Sequence, residues 1–168
     1  THVVHARVSD KDGGYSEYTT TVVVSNVAPT ATLSAPASGD EGSSMSFSLT
    51  GVSDPSAADA AAGFVYGFDF DNDGVYEVSG SSPSVSHVFG DNGTYTVHAR
   101  VTDKDGGHTD YSAQVTVLNV APAGGTFAVV GAAAEGSAVT VAFGGQVDPS
   151  AADQAAGLTY SFDFDGDG

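Results

Sequence analysis

Cysteine and tryptophan are absent from this 168-residue chain, methionine occurs once, and Lys and Arg together number 4. Each scarcity closes a class of function. Without cysteine there is no disulfide framework and no thiolate metal site. Four basic residues against 21 acidic ones leave a formal charge of −17. A nucleic-acid binder needs a basic face to displace counterions from phosphates, so nucleic acid is excluded as a partner. Anionic membrane surfaces repel such a chain for the same reason. No apolar run reaches the roughly 18 residues that a membrane-spanning helix needs, so no membrane insertion is expected. The chain opens on Thr1 without a basic and then apolar leader, which reads as a piece of a longer polypeptide. What is present argues for a folded protein. Hydrophobic residues make up 40% of the chain and include 7 Tyr and 9 Phe, which an acidic disordered tail would lack.

The sequence repeats itself. Val8-Ser-Asp-Lys-Asp-Gly-Gly14 returns as Val101-Thr-Asp-Lys-Asp-Gly-Gly107, and Asn26-Val-Ala-Pro29 as Asn119-Val-Ala-Pro122, both at an offset of 93. Asp54-Pro-Ser-Ala-Ala-Asp59 returns as Asp148-Pro-Ser-Ala-Ala-Asp153, and Phe68-Asp-Phe-Asp71 as Phe162-Asp-Phe-Asp165, both at 94. This spacing predicts a tandem array of one domain type: 1–27 the C-terminal fragment of a unit, 28–120 a complete unit, and 121–168 the N-terminal fragment of a third. The third fragment reaches only the equivalent of Gly74. A half-sandwich exposes its hydrophobic face, so further chain or neighbouring copies are expected to supply the missing strands.

Within 28–120 the hydrophobic period is two. Met45, Phe47 and Leu49 alternate with serines; Tyr95, Val97, Ala99 and Val101 alternate with Thr96, His98, Arg100 and Thr102; Tyr111, Ala113, Val115 and Val117 form a third run. Each reads as a strand with one buried face, and Gly-, Asn- and Asp-rich turns separate them. The prediction is all-β, an antiparallel β-sandwich. One segment breaks the pattern. Asp54 as N-cap, Pro55 at the first helical position, an alanine-rich run and Gly63 as terminator predict one or two helical turns over 55–62, against an irregular loop.

Asp91-Asn-Gly-Thr-Tyr95-Thr-Val97 follows the D-x-G-x-Y pattern of immunoglobulin-like sandwiches, in which the tyrosine hydroxyl bonds back to the backbone at a corner. In the first fragment that position is His2. Phe68-Asp-Phe-Asp-Asn-Asp-Gly74, His87-Val-Phe89 and Gly93-Thr-Tyr-Thr-Val-His-Ala-Arg-Val-Thr-Asp103 together resemble the PKD-domain family, with Phe68 where that family carries tryptophan. The resemblance covers the middle unit and both fragments. It implies an immunoglobulin-like fold, and the added carboxylate in the acidic loop is similar to the variant found in long repeats of bacterial secreted and surface proteins.

The acidic motifs carry the candidate chemistry. Asp69, Asp71 and Asp73 before Gly74 form D-x-D-x-D-G, repeated as Asp163, Asp165 and Asp167 before Gly168. Three carboxylates on a tight turn repel one another unless a hard cation such as calcium sits among them. An EF-hand is excluded, since its twelfth loop position is Gly80; Glu77, at the ninth, is a substitute ligand. The alternative is a strand with Phe68 and Phe70 inward and Asp69 and Asp71 merely facing water. Asp103 and Asp105, matched by Asp10 and Asp12, form a second candidate cluster, although two glycines after Asp explain a hairpin equally well. Topology places Asp103 beside Asp54 and Asp59 at the pole opposite D-x-D-x-D-G, and Glu41 at the D-x-D-x-D-G end. In a head-to-tail array these poles would meet. His87 is expected to make a structural hydrogen bond, His98 and Arg100 to face solvent, and Tyr95 and Tyr111 to face the core.

No nucleophile–base pair can be placed, and no phosphate-binding glycine pattern occurs. The expected function is a non-catalytic structural repeat of an extracellular stalk, adhesin or fibre, secreted or on the cell surface and stiffened by calcium. Its partners would be adjacent repeats and neighbouring copies. The alternative is a protein- or polysaccharide-binding accessory module of a larger secreted enzyme.

Overall fold

A computed structural model describes residues 1–166, which form twelve β-strands and two short α-helices. In chain order these are β1 (His2–Ser9), β2 (Tyr15–Val22), β3 (Thr30–Ser34), β4 (Ser38–Asp40), β5 (Ser44–Ser53) and α1 (Ala57–Ala62). Then follow β6 (Val65–Asp69), β7 (Val78–Gly80), β8 (Ser84–Val88), β9 (Gly93–Thr102) and β10 (His108–Leu118). The last described elements are β11 (Ala123–Val130), β12 (Thr140–Val147) and α2 (Ala151–Ala156).

Two sheets make the sandwich. One has the order β3-β5-β8 and the other β4-β10-β9-β6-β7, with β4 parallel to β10 and the other pairings antiparallel. The pairs β1–β2 and β11–β12 are separate antiparallel two-stranded sheets. The period of two becomes the core directly. Met45, Phe47 and Leu49 of β5 oppose Tyr66 and Phe68 of β6, Val97, Ala99 and Val101 of β9, and Val115 and Val117 of β10. Phe70 and Phe89 close one end, with the Phe47 ring edge-on to Phe70 at 5.2 Å. The Val, Leu, Met and Phe side chains each contribute roughly 1.5–3 kcal/mol by leaving water, which orients both sheets without a disulfide.

The tyrosines sort by position. Tyr95 donates its hydroxyl to the Asp91 carbonyl at 2.9 Å and forms the expected corner. The Tyr111 hydroxyl accepts from the Ala31 amide at 2.6 Å, tying β10 to the other sheet. Tyr66 is buried. Tyr76 lies on the outer face instead, where Gly67 leaves room: a Cβ on Gly67 would stand 2.8 Å from the Tyr76 ring. Arg100 sits 5.0 Å over that ring and forms a two-pronged pair with Asp110, which also accepts from the Tyr76 hydroxyl.

Two local expectations need correction. The helix begins later than Pro55: Ser56 is the N-cap, its hydroxyl accepting from the Asp59 amide, and Asp54 caps one step earlier by accepting from the Ser56 amide at 2.7 Å. Two capping side chains in series displaced the start, while Gly63 ends the helix as expected. His87 makes no side-chain hydrogen bond among the described residues. It stacks face to face on Phe70 at 4.0 Å, and burial lowers its pKa, opposed by the charge of Glu77.

Candidate metal centre

Strand β6 delivers Asp69 to the mouth of a turn that the backbone then tightens. Asn72 and Gly74 take left-handed conformations, with φ of 61° and 87°. Asp69 is buried, with only 2% of its surface exposed, and does not simply face water. Its two oxygens accept from the amides of Asn72 at 2.7 Å and Gly74 at 3.1 Å. Asp71 accepts from Asp73, Asp73 from Val75, and Glu77 reaches back to the Phe70 amide at 2.9 Å. The turn therefore folds on its own side chains, and each carboxylate keeps lone pairs for another partner. Asp69, Asp71, Asp73 and Glu77 each offer an oxygen, all within 4.8 Å of one another. Desolvation first, then the charges of Asp73, Glu77 and Asp69, raise the Asp71 pKa, while the Asp73 amide opposes them. In the second copy of the motif, Asp163 accepts from the amides of Asp165 and Gly166 at 3.1 and 2.7 Å. Asp167 lies outside the described residues.

The second motif divides. Asp103 joins Asp54 and Asp59 in an acidic cluster at the pole where topology placed them. One oxygen of Asp103 takes the amides of Asp105 and Gly107, both at 2.8 Å, and the other takes the Asn26 side chain at 2.8 Å. Burial alone would raise the Asp103 pKa, but these donors outweigh it and hold it below the ordinary value. Asp59, almost fully buried, is neutralised by the Lys104 ammonium at 2.6 Å, and this bond and the Ser56 hydroxyl lower its pKa. Asp105 is not part of the cluster; it is exposed and paired with Lys104. Asp10 and Asp12 stand on the exposed β1–β2 hairpin, where Asp10 caps the turn and Asp12 pairs with Lys11 at 2.8 Å.

Glu41 shares an end with the D-x-D-x-D-G loop but belongs to a different cluster. Its neighbours are Asp148 and Asp153, which sequence reasoning did not single out as ligands. The signal for them was the return of Asp54 and Asp59 at an offset of 94, read together with the expected meeting of poles.

The PKD-domain family model matches residues 26–117, more than half of the chain and spanning the sandwich. The chain belongs to the PKD-domain family. No curated protein matches it. A solved structure from work on the promiscuous specificity of carbohydrate-binding modules of the β-sandwich superfamily is similar at 22% identity, with a TM-score of 0.48, covering 62% of this chain and 40% of that one. The PKD domain of an M14-like peptidase from Thermoplasmatales archaeon SCGC AB-540-F20 is similar at 21% identity, with a TM-score of 0.42, covering 55% of this chain and 98% of that one. PKD domains are generally non-catalytic modules and occur in extracellular proteins, so membership fits a structural or binding module. No helix among the described residues is long and apolar enough to cross a membrane.

Proposed function

We propose that the chain is a tandem run of PKD units, with 28–120 complete and 1–27 and 121–168 parts of its neighbours, that serves as a calcium-stiffened, non-catalytic repeat of an extracellular stalk, adhesin or fibre. The observation that carries this reading is the Asp69–Asp71–Asp73–Glu77 cluster: four carboxylates converging within 4.8 Å on a turn already shaped by its own amides. A hard cation with oxygen ligands at 2.3–2.6 Å matches that span and would offset both the desolvation and the neighbouring carboxylate charges that raise the Asp71 pKa. Extracellular calcium modules half-saturate at about 10⁻⁴–10⁻³ M. At ten times the dissociation constant, binding to the folded form adds about 1.4 kcal/mol per site. That is too little to decide whether the sandwich folds, and enough to order an acidic loop.

A second reading, a polysaccharide- or protein-binding accessory module, draws on Tyr76, an aromatic ring on the outer face of the five-stranded sheet. Its hydroxyl is engaged by Asp110 and its face by Arg100, which leaves less ring for a sugar to stack on, so the structural reading is preferred. Calcium addition followed by chelation, read by melting temperature and by small-angle scattering, tests the proposal. Calcium should raise the melting temperature and narrow the spread of maximum dimension, and the double variant Asp71→Asn/Asp73→Asn should lose the loop's share. An unchanged melting temperature together with an unchanged dimension would overturn the calcium role.

A further inference from the structure

The turn between β4 and β5 presses closely on the segment before α2. Gly42 has φ of 70°, and a Cβ there would fall 2.6 Å from the Pro149 carbonyl oxygen. The Ser150 hydroxyl donates to the Gly90 carbonyl at 2.9 Å from the other side of this contact. Glu41 is carried into the contact by its own amide, which donates to Leu118 at 3.0 Å. Its side chain has no exposed surface; Oε1 accepts from the Val120 amide at 2.7 Å, and Oε2 is buried with no hydrogen-bond partner among the described residues. Asp148 is 1% exposed, with Oδ1 accepting from the Ser150 amide at 2.8 Å. Asp153 completes a set of three carboxylates whose oxygens lie within 4.8 Å of one another. An unpartnered carboxylate oxygen withdrawn from water is costly unless a positive charge meets it.

We propose that Glu41, Asp148 and Asp153 form a divalent-cation site, of calcium-type oxygen chemistry, that clamps one PKD unit to the next. It rests on the tandem reading above and deepens it: the cation that sets the angle of the array binds between units, with Glu41 from one and Asp148 and Asp153 from the following one. The three oxygens span a distance that calcium bridges at 2.3–2.6 Å per bond. Asp148 and Asp153 also line an open groove with Asn119, Phe143 and Gln146, which gives an ion a path from solvent. The internal repeat supplies a fourth ligand. Asp148 and Asp153 occupy the places of Asp54 and Asp59, which stand with Asp103, so a junction between two complete units gathers four carboxylates. A lysine at the Lys104 position would neutralise one of them, as Lys104 does Asp59, and leave the others to the cation.

The test is a titration of the 168-residue chain with calcium chloride, followed amide by amide by nuclear magnetic resonance. Shifts are expected at Glu41, Val120, Ser150 and Asp153 in the wild type. In Glu41→Gln, which keeps an oxygen for the Val120 amide, half-saturation at those amides should move up by about tenfold or more, because calcium affinity follows ligand charge. The shifts over 69–77 should stay as they were. Asp153→Asn, on a partly exposed helical position, gives the same result if Glu41→Gln disturbs folding. Junction shifts unaltered in both variants, or absent from the wild type while 69–77 responds, overturn the junction site and leave the proposed function standing. No calcium response anywhere overturns both.

Discussion

The β1–β2 and β9–β10 hairpins share a turn sequence, a register and a cross-strand ion pair, yet live in opposite surroundings. In each, the first Asp of Asp-Lys-Asp-Gly-Gly accepts from the amides two and four residues on, at 2.8–2.9 Å. Arg7 pairs with Glu17 as Arg100 pairs with Asp110. Every residue of β1 and β2 is exposed, whereas β9 buries alternate residues against β5 and flanks β6 and β10. The turn is thus local chemistry, closed by an Asp side chain and a left-handed glycine, and it forms wherever that sequence occurs. A site is not local. Asp103 acquires Asn26, Asp54 and Asp59 because the sandwich brings them there, while Asp10 has only its own turn.

Core substitution should separate the hairpins most sharply. Val101 has no exposed surface, and Val8, at the same place 93 residues earlier, is 59% exposed. Val101→Ala should cost about 2–3 kcal/mol in chemical denaturation, from lost burial plus the cavity left behind. Val8→Ala should stay within about 0.5 kcal/mol, as surface changes do. Equal losses would mean that the first hairpin is packed against something in solution. A smaller contrast lies at the strand starts, where Tyr95 closes the corner and His2 holds the equivalent position. Tyr95→Phe should cost about 1 kcal/mol, the usual worth of one hydrogen bond, and His2→Phe should cost nothing measurable. A Tyr95→Phe protein as stable as the wild type would remove the corner from the account of the fold.

The same division explains what the sequence made legible. The alternation of Met45, Phe47 and Leu49 against serine is a face of a sheet, so the sandwich and its core could be read residue by residue. The D-x-D-x-D-G cluster was legible because its carboxylates lie within nine positions and the turn between them is specified by Gly74. Helix α1 was legible as an element but not at its start, because Asp54 and Ser56 are both good caps and local pattern does not choose between them. Asp69 was half legible: alternation with Phe68 and Phe70 pointed it outward, but its amide partners at 72 and 74 wrap over it. The grouping of Glu41 with Asp148 and Asp153 depends on residues more than 100 positions apart and on how the sandwich meets the segment that carries α2. No short spacing in the sequence encodes that.

Acid titration gives the smallest contrast and the one with the firmest sign. Asp110 is held below the ordinary carboxylate value chiefly by its bonds from Arg100, with burial opposing and the Tyr76 hydroxyl and the Arg100 charge adding to the effect. The folded form therefore takes up this proton at lower pH than the unfolded form does. The stability contributed is complete above the unfolded value, near pH 4, and is lost as the pH falls through the lower folded value. The pair is half exposed, so solvent screening keeps its worth to about 0.5 kcal/mol. Asp110→Asn should accordingly melt slightly below the wild type at about pH 6, and the gap should narrow as the pH falls below about 4 and close once it passes below the folded value, where both proteins carry an uncharged side chain there. Glu17→Gln is the comparator, since the Arg7–Glu17 pair has the same register without a Tyr76 hydroxyl to hold the carboxylate. A gap for Asp110→Asn that persists unchanged into acid would mean that the Asp110 contact works through shape and hydrogen bonding rather than charge.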